Sequence, residues 1–350
     1  MSGSARVLLQ SLFDTAVAAA HPDNCLRAHL PVPPPSGRLL LLGAGKAAAS
    51  MSAAAERYYL DEHGFPAERI SGIAVTRRGY ACPVRRVRMV EAGHPVPDAA
   101  GLDGTLETLA LADGAGAEDL VLALISGGAS ANWIAPAAGI SLAEKQTVTR
   151  ALLACGSSIF EINTVRKHLS RIKGGRLAQR VYPGALTAVA ISDVPGDDPA
   201  VIGSGPTVPD PTTLADALAI VRRYRLDLPE PVARALMNSA NETPKPGDRV
   251  FERAPFVLAA RPADVFRIVE QAVRAAGYES ILLGSEVEGE ARAVAHGGLD
   301  AAQELGRVHA GQRAAALADR GPDRFDDHRT GHGSLPRPCG LIKTRTRFTV

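Results

Sequence analysis

The sequence predicts an α/β protein: a doubly wound, mostly parallel sheet followed by a second, incomplete α/β unit. Short aliphatic runs that end in glycine or polar turns alternate with longer segments of helical spacing. Aromatic residues make up 4% of the chain against 46% apolar, which suits small helices on aliphatic strands better than a β-sandwich. The 350 residues suffice for two or three domains of about 100–200 residues each.

The elements follow in order. Val7, Leu8, Leu12, Phe13 and Val17 fall at helical spacing and predict a helix over about 4–20. A Pro-rich connector leads to LLLL at 39–42, a buried strand, and then to Gly43-Ala44-Gly45-Lys46 and a helix through AAASMSAAAERYY. Strands are expected at 72–76 and 87–91, and a helix near 99–112 after EAGHPVPD. DLVLALISGGAS repeats the opening pattern of strand, glycine turn and small residues. SLAE at 141–144 reads as a capping box. A helix is expected from Ile162 to Arg180, then a strand in ALTAVAISDV, a polar loop, and a helix in LADALAIVRRYRL. Residues 229–249 read as a Pro-rich break, after which FVLAARPADVFRIVEQAVRAAGYESILLG opens the second unit. The expected domains are therefore 1–235 and 245–320, with 321–350 an aberrant, poorly ordered tail lacking either apolar period.

Composition excludes several roles. A net charge of +2, from 39 basic and 37 acidic residues, gives no nucleic-acid stripe and no membrane-surface patch. No window approaches the ~20 apolar residues of a membrane span, and the N-terminus lacks the apolar core of a signal peptide. The four cysteines are scattered without metal-ligand spacing, as expected for free thiols in a cytoplasmic protein.

Ligands of open α/β sheets bind beyond the carboxyl ends of the strands, and three such ends here are rich in glycine or polar residues. In the first, GAGKAA partly fits a dinucleotide turn but carries Lys46 at a helix start, where its charge adds to the positive end of the helix and calls for an anion. A lysine pointing into solvent is the alternative. In the second, Ser126, Gly127, Gly128, Ala129 and Ser130 could bring backbone amides together around an anion, or form an ordinary turn. In the third, Asp193 follows a strand, with Asp197 close by and Ser204 in SGPT further on; such acids hold Mg²⁺, accept a proton or simply cap a turn. Between these lies NTVRKHLSRIKGGRLA, where helical spacing puts Arg166, Ser170 and Lys173 on one face, and Lys167 and Arg171 on another. Gly174-Gly175 inside that pattern costs about 1 kcal/mol per glycine relative to alanine and suggests a close approach. Together these features suit phosphoryl transfer to a small anionic substrate.

The ordered set GAGKAAASM, EAGHPVPD, LISGGAS, NTVRKHLSRIKGGRLA and ISDVPGDDPAVIGSGPTVPD resembles the glycerate 2-kinase family, whose C-terminal region is called MOFRL and whose members were once labelled hydroxypyruvate reductases. The resemblance runs from about residue 5 to about residue 320. It implies a Rossmann-like first domain, a second α/β domain and an active site in the cleft between them. It further implies transfer of phosphate from ATP, with Mg²⁺, to D-glycerate, giving 2-phosphoglycerate. By the same resemblance Lys46 stabilises charge at the phosphate or the carboxylate. Gly45, Ser126, Gly127, Gly128, Ser130 and Ser204 line the substrate and phosphate site, and Arg166 and Lys173 neutralise anions. Asp193 accepts a proton or contacts metal, with Asp197 a second metal contact.

The sequence departs from the family in two places. The family loop reads SGGGS where this chain has Ala129, whose methyl is expected to narrow the turn or block a positive φ. The family's SGGET-type and RGGRN-type motifs, the latter with an arginine held to be catalytic, have no counterpart in GPDRFDDHRTGHGSL, and Arg324 and Arg329 do not match that context. The expectation is a truncated or frame-shifted kinase of impaired activity. The alternatives are a non-catalytic protein holding a nucleotide or small acid, and an NAD(P)H-dependent hydroxypyruvate reductase. The oligomeric state is left open.

Overall fold

The computed structural model describes residues 3–284, Val287, Val294, Ala295, Gly298 and residues 314–316. The expected tail at 321–350, with Arg324 and Arg329, and most of the end of the expected second domain lie outside the described residues.

Six parallel strands form one sheet: β1 (Leu39–Ala44), β2 (Ile70–Arg77), β3 (Val87–Ala92), β4 (Leu120–Ile125), β5 (Ala185–Ile191) and β6 (Phe256–Ala260). Their order is β3-β2-β1-β4-β5-β6, the doubly wound arrangement, and the direction of winding reverses between β1 and β4. Every residue of β1 and β4 is buried, which explains unbroken apolar runs where a half-exposed strand would alternate. Each of the four leucines Leu39–Leu42 is fully buried, worth about 2 kcal/mol apiece against exposure.

The helices are α1 (Gly3–Ala20), α2 (Pro22–Cys25), α3 (Ala48–Arg57), α4 (Ala99–Asp113), α5 (Ala129–Asn132), α6 (Leu142–Ala154), α7 (Ile159–His168), α8 (Arg176–Val181), α9 (Leu214–Arg223), α10 (Glu230–Met237) and α11 (Pro262–Ala275). The capping box at Ser141 forms as its sequence predicts: the Glu144 amide donates to Ser141 Oγ and the Ser141 amide to Glu144 Oε2. Ser158 and Glu161 open α7 in the same way.

Three expectations need correction. Residues 162–180 are two helices, α7 and α8, separated by a turn. α7 stops at His168, and Gly174 and Gly175, at φ of +59° and +80°, a left-handed backbone that suits glycine, stand just before α8. Lys173 therefore does not share a helix face with Arg166. The Pro-rich break contains α10, because Pro229 and Pro231 sit at the helix start, where a missing amide costs nothing, and Val232, Ala235 and Leu236 are buried. β6 pairs with β5, so FVLAA is the last strand of the first sheet, not the opening of a second unit.

The chain divides into two compact units. One comprises 21–192 and 197–260 and carries the sheet; the other comprises 1–20, 193–196 and 261–350. In the latter, Leu12 of α1 is buried with Val269 and Val273 of α11, flanked by Leu8, Ala16 and Val265. Here too β7 (Glu279–Ile281) pairs in parallel with β8 (Ala314–Ala316). The boundaries thus fall at 20/21, 192/193, 196/197 and 260/261, whereas the sequence suggested a break between 235 and 245. Helical hydrophobic spacing identifies α1 but not the element it packs against.

Gly72 sets a stability test. A Cβ there would lie 2.1 Å from the carbonyl oxygen of Leu41, backbone that cannot yield without breaking the β1–β2 ladder. Gly72→Ala is expected to cost about 3 kcal/mol or more, and Ser141→Ala about 1 kcal/mol, both read from urea unfolding midpoints.

Candidate active site

The turns at the ends of β1 and β4 meet at the switch point and lock together. The Lys46 amide donates to the Gly127 carbonyl at 2.8 Å, and the Ala47 amide to Ser126 Oγ at 2.9 Å. The Ser126 amide returns a bond to the Ala44 carbonyl at 3.0 Å. Gly45, at φ +116°, has no room for a side chain: a Cβ would lie 2.4 Å from Ser126 Oγ and 2.5 Å from the Ser126 carbonyl oxygen. Thr76 at the end of β2 donates to the Gly45 carbonyl at 3.1 Å.

This lock answers what occupies the GAGK turn. In a dinucleotide fold, the amides that open the helix after β1 face a pyrophosphate. Here the Lys46 and Ala47 amides are spent on the β4 turn and the Ala48 amide on Gly45. Gly45 serves the approach of Ser126, while Gly43 packs against Ala74 and Ser52, and the first three amides of the turn are not turned to a pyrophosphate. β2 ends in Thr76-Arg77 and offers no acid for a ribose.

What remains open is the turn after β4. Among the described residues no acceptor is present for the amides of Gly127 and Gly128, and Gly127 is buried. Gly128 takes φ +87°, and a Cβ on it would meet His94 Cδ2 at 2.9 Å, His94 Nε2 at 3.0 Å and Lys46 Cγ at 3.4 Å. The turn is thus flanked by an ammonium side chain and an imidazole, both half-buried. Ala129 is the first residue of α5, so its methyl blocks no positive φ; the strained geometry falls on Gly128 instead. α5 has only four residues and adds little dipole to the turn.

Ser130 joins the next layer. Its carbonyl accepts from Lys173 Nζ at 2.9 Å and Arg166 Nη2 at 3.2 Å, and its Oγ lies 2.8 Å from Ser204 Oγ. Ser204 is fully buried at φ +65°, between Gly203 and Gly205, both at +60°. A non-glycine residue held there stores about 1–3 kcal/mol. Arg166 and Lys173 therefore converge, as expected from the sequence, through the Ser130 carbonyl instead of a shared helix face. Burial pushes the Lys173 ammonium well below the usual lysine range, and Arg166 and then Lys145 add to the effect. Burial does the same to Lys145, which donates to the Leu169 carbonyl.

Beside this layer is a cluster of ion pairs, buried at Lys167, Asp210 and His168 and half-buried at Glu242 and Lys245. Lys167 Nζ stands 3.3 Å from Asp210 Oδ1, which also accepts from the Thr212 amide and hydroxyl. His168 Nε2 lies 3.0 Å from Glu242 Oε1, and Lys245 bonds the same carboxylate. Burial raises the Glu242 carboxyl, but the Leu214 amide, Lys245, His168 and the Thr243 amide outweigh it and bring it down to about 2. The cluster seats the glycine pair: a Cβ on Gly174 would lie 2.9 Å from Thr243 Cγ2 and 3.2 Å from Asp210 Oδ2.

Within the sheet-bearing unit the structure brings Gly45, Lys46, Ser126, Gly127 and Gly128 into one group, and Ser130, Arg166, Lys173 and Ser204 into the adjoining one. Asp193 belongs to the other compact unit, in the segment 193–196, although it follows Ser192 directly. Asp197 lies in the sheet-bearing unit at φ +52°, its Oδ1 buried with no partner among the described residues. No group of three or more His, Cys, Asp or Glu able to hold a metal occurs among the described residues. Sequence reasoning missed His94 and Lys145. His94 lay in a quoted motif, and its position just past a strand end was the available signal; Lys145 lies in an amphipathic helix where nothing distinguishes it.

Residues 8–237 match the model of a domain of unknown function (DUF4147). A protein of Agrobacterium vitis, provisionally named hydroxypyruvate reductase, is 46% identical over 318 residues, covering 91% of this chain and 67% of that protein. The D-glycerate 2-kinase of Thermotoga maritima is 41% identical over 244 residues, covering 69% of this chain and 56% of the relative. The glycerate 2-kinase of Pyrococcus horikoshii is 38% identical over 262 residues, covering 73% and 57%. This chain thus spans from just over half to two thirds of these relatives' lengths. The crystal structure of glycerate kinase from Thermotoga maritima superposes with a TM-score of 0.77 at 32% identity, covering 95% of this chain and 77% of that one.

Two pH dependences follow from the buried charges. The unfolded chain binds more protons at the Lys145 and Lys173 amines than the folded chain does, so their contribution to stability rises with pH. The gain accrues over the pH range below the ordinary lysine value of 10.5 and is complete above it. Lys173→Met flattens that slope in urea-unfolding series. The Glu242 carboxylate contributes stability that is present above the unfolded value of 4.5 and lost as pH falls toward about 2. Glu242→Gln removes that acid-side loss, read as a smaller difference in unfolding midpoint between neutral and acid pH.

Proposed function

Because the chain belongs to the glycerate 2-kinase family, we propose that it transfers the terminal phosphoryl group of ATP to D-glycerate, with Mg²⁺, giving 2-phosphoglycerate. The observation that carries this reading is the use of the β1 turn. Its Lys46 and Ala47 amides are taken by the β4 turn, which disfavours nicotinamide dinucleotide chemistry and leaves an anion seat built from Gly127, Gly128 and Lys46. Kinase chemistry of this kind is mainly positioning and charge neutralisation, and this chain offers both.

Lys46 places one positive charge at the rim of the glycine turn, against the substrate carboxylate or the transferring phosphate. Arg166 and Lys173 add charge one layer away. Burial holds the Lys173 ammonium well below the usual lysine range, and a nearby anion favours its charged form. Asp193 is assigned the proton of the substrate hydroxyl. Mg²⁺ uses one or two carboxylates together with substrate phosphates. The Oδ1 of Asp197, buried with no partner among the described residues, fits that demand. When bound, the ion would neutralise charge on the phosphate chain.

The test is a coupled assay of this chain with ATP, Mg²⁺ and D-glycerate, with product identification. 2-Phosphoglycerate is expected, and Lys46→Ala should lower kcat/KM by about 10²–10³-fold, the scale of losing one positioned charge or donor. NADH consumption with hydroxypyruvate and no phosphorylated product would overturn the reading.

A further inference from the structure

His94 lies where the sheet order alone would not put it. It follows β3, the edge strand, and β3 is three strand intervals from β4, roughly 14 Å at the usual spacing of about 4.8 Å. Yet its ring edge packs on Gly128 in the turn after β4: Cδ2 and Nε2 would be 2.9 and 3.0 Å from a Cβ there. The segment after β3 and the turn that leads from β4 into α5 therefore meet past the carboxyl ends of the strands between them, where Asn132 also reaches Gly93.

That meeting is anchored from several elements. Gln146 Nε2 of α6 donates to the Pro97 carbonyl at 2.8 Å. Asn132 Nδ2 of α5 faces the Gly93 carbonyl at 3.5 Å. Asp98 accepts from the Gly101 amide at 3.0 Å, capping α4, and pairs with Arg78 just past β2. Gly93 is itself pressed close, since a Cβ would lie 2.5 Å from the Val96 carbonyl oxygen. A connection held this firmly fixes the imidazole against the glycine turn with its Nε2 edge toward it. The seat then has amide donors from Gly127 and Gly128, with the Lys46 side chain, through its Cγ, and the His94 ring both against Gly128. Its single lysine suits a group of one negative charge; Arg166 with Lys173 and Lys145 forms the richer positive region nearby.

We propose that His94 binds and orients the acid substrate, donating from Nε2 to the carboxylate of a short 2-hydroxy acid seated on the Gly127–Gly128 turn. This rests on the kinase reading for the identity of the acid, so the test reads binding separately from turnover. D-Glycerate and, separately, ADP with Mg²⁺ are titrated calorimetrically into the wild-type chain, His94→Ala and His94→Gln, with melting temperatures recorded. A glutamine amide can replace the Nε2 donor but cannot act as a base.

The expected result is a D-glycerate Kd raised about tenfold or more in H94A, the scale of one hydrogen bond to a charged group. H94Q should restore it to within about threefold, with the ADP Kd unchanged in both; H94Q also keeps the ring-sized volume should H94A melt early. The proposal is overturned if H94A binds D-glycerate as the wild type does, if ADP affinity falls instead, if glutamine does no better than alanine, or if the wild type does not bind D-glycerate. A wild-type chain that binds D-glycerate without phosphorylating it refutes the kinase reading and leaves the His94 comparison readable. Turnover with an unchanged D-glycerate Kd in H94A refutes the His94 role alone.

Discussion

The interlock of the two glycine turns at the sheet's switch point governs the rest of the candidate site. Two amides at the start of α3 and the Ser126 hydroxyl and Gly127 carbonyl after β4 satisfy one another at 2.8–2.9 Å. Buried backbone groups need partners, and here each turn supplies the other's. The arrangement engages the first two amides of the β1 turn and leaves the Gly127 and Gly128 amides without an acceptor among the described residues. One set of contacts thereby separates this chain from a dinucleotide-binding protein of the same sheet order.

The second layer depends on that turn. Because the Ser126–Ser130 segment is held by its partner, the Ser130 carbonyl becomes a fixed acceptor where Lys173 and Arg166 converge, and Ser130 Oγ meets the strained Ser204. Burial is what lowers Lys145 and Lys173 most, and the positive charge of Arg166 nearby adds to it in both. The Lys167–Asp210 and His168–Glu242–Lys245 contacts beside this layer hold the Gly174–Gly175 turn, and so Lys173, in place. Strain and buried like charge of this kind concentrate at sites that bind and react.

The elements most legible in the sequence were those with strong local signals. Uninterrupted aliphatic runs marked β1 and β4 because a strand buried on both faces has no polar side. Ser141–Glu144 marked the start of α6 because a capping box is a contact between residues three apart. The stretch 162–180 was misread because helical spacing persists across a turn that ends in two left-handed glycines. Arg166 and Lys173 still met, for a reason that spacing could not supply. His94 was quoted in its motif yet given no role, since its partner on Gly128 is three strands away.

By itself the sequence determined the alternation of strand and helix, the doubly wound class, the family, and the glycine, lysine and serine residues that gather at the strand ends. Local hydrophobic period and turn chemistry carry that information. Only the tertiary structure decided which turn faces a ligand and which is consumed by its neighbour, that β6 completes the first sheet, and that α1 packs with α11. Those outcomes depend on pairing between residues far apart in the chain, where backbone donors and buried surfaces must be satisfied together.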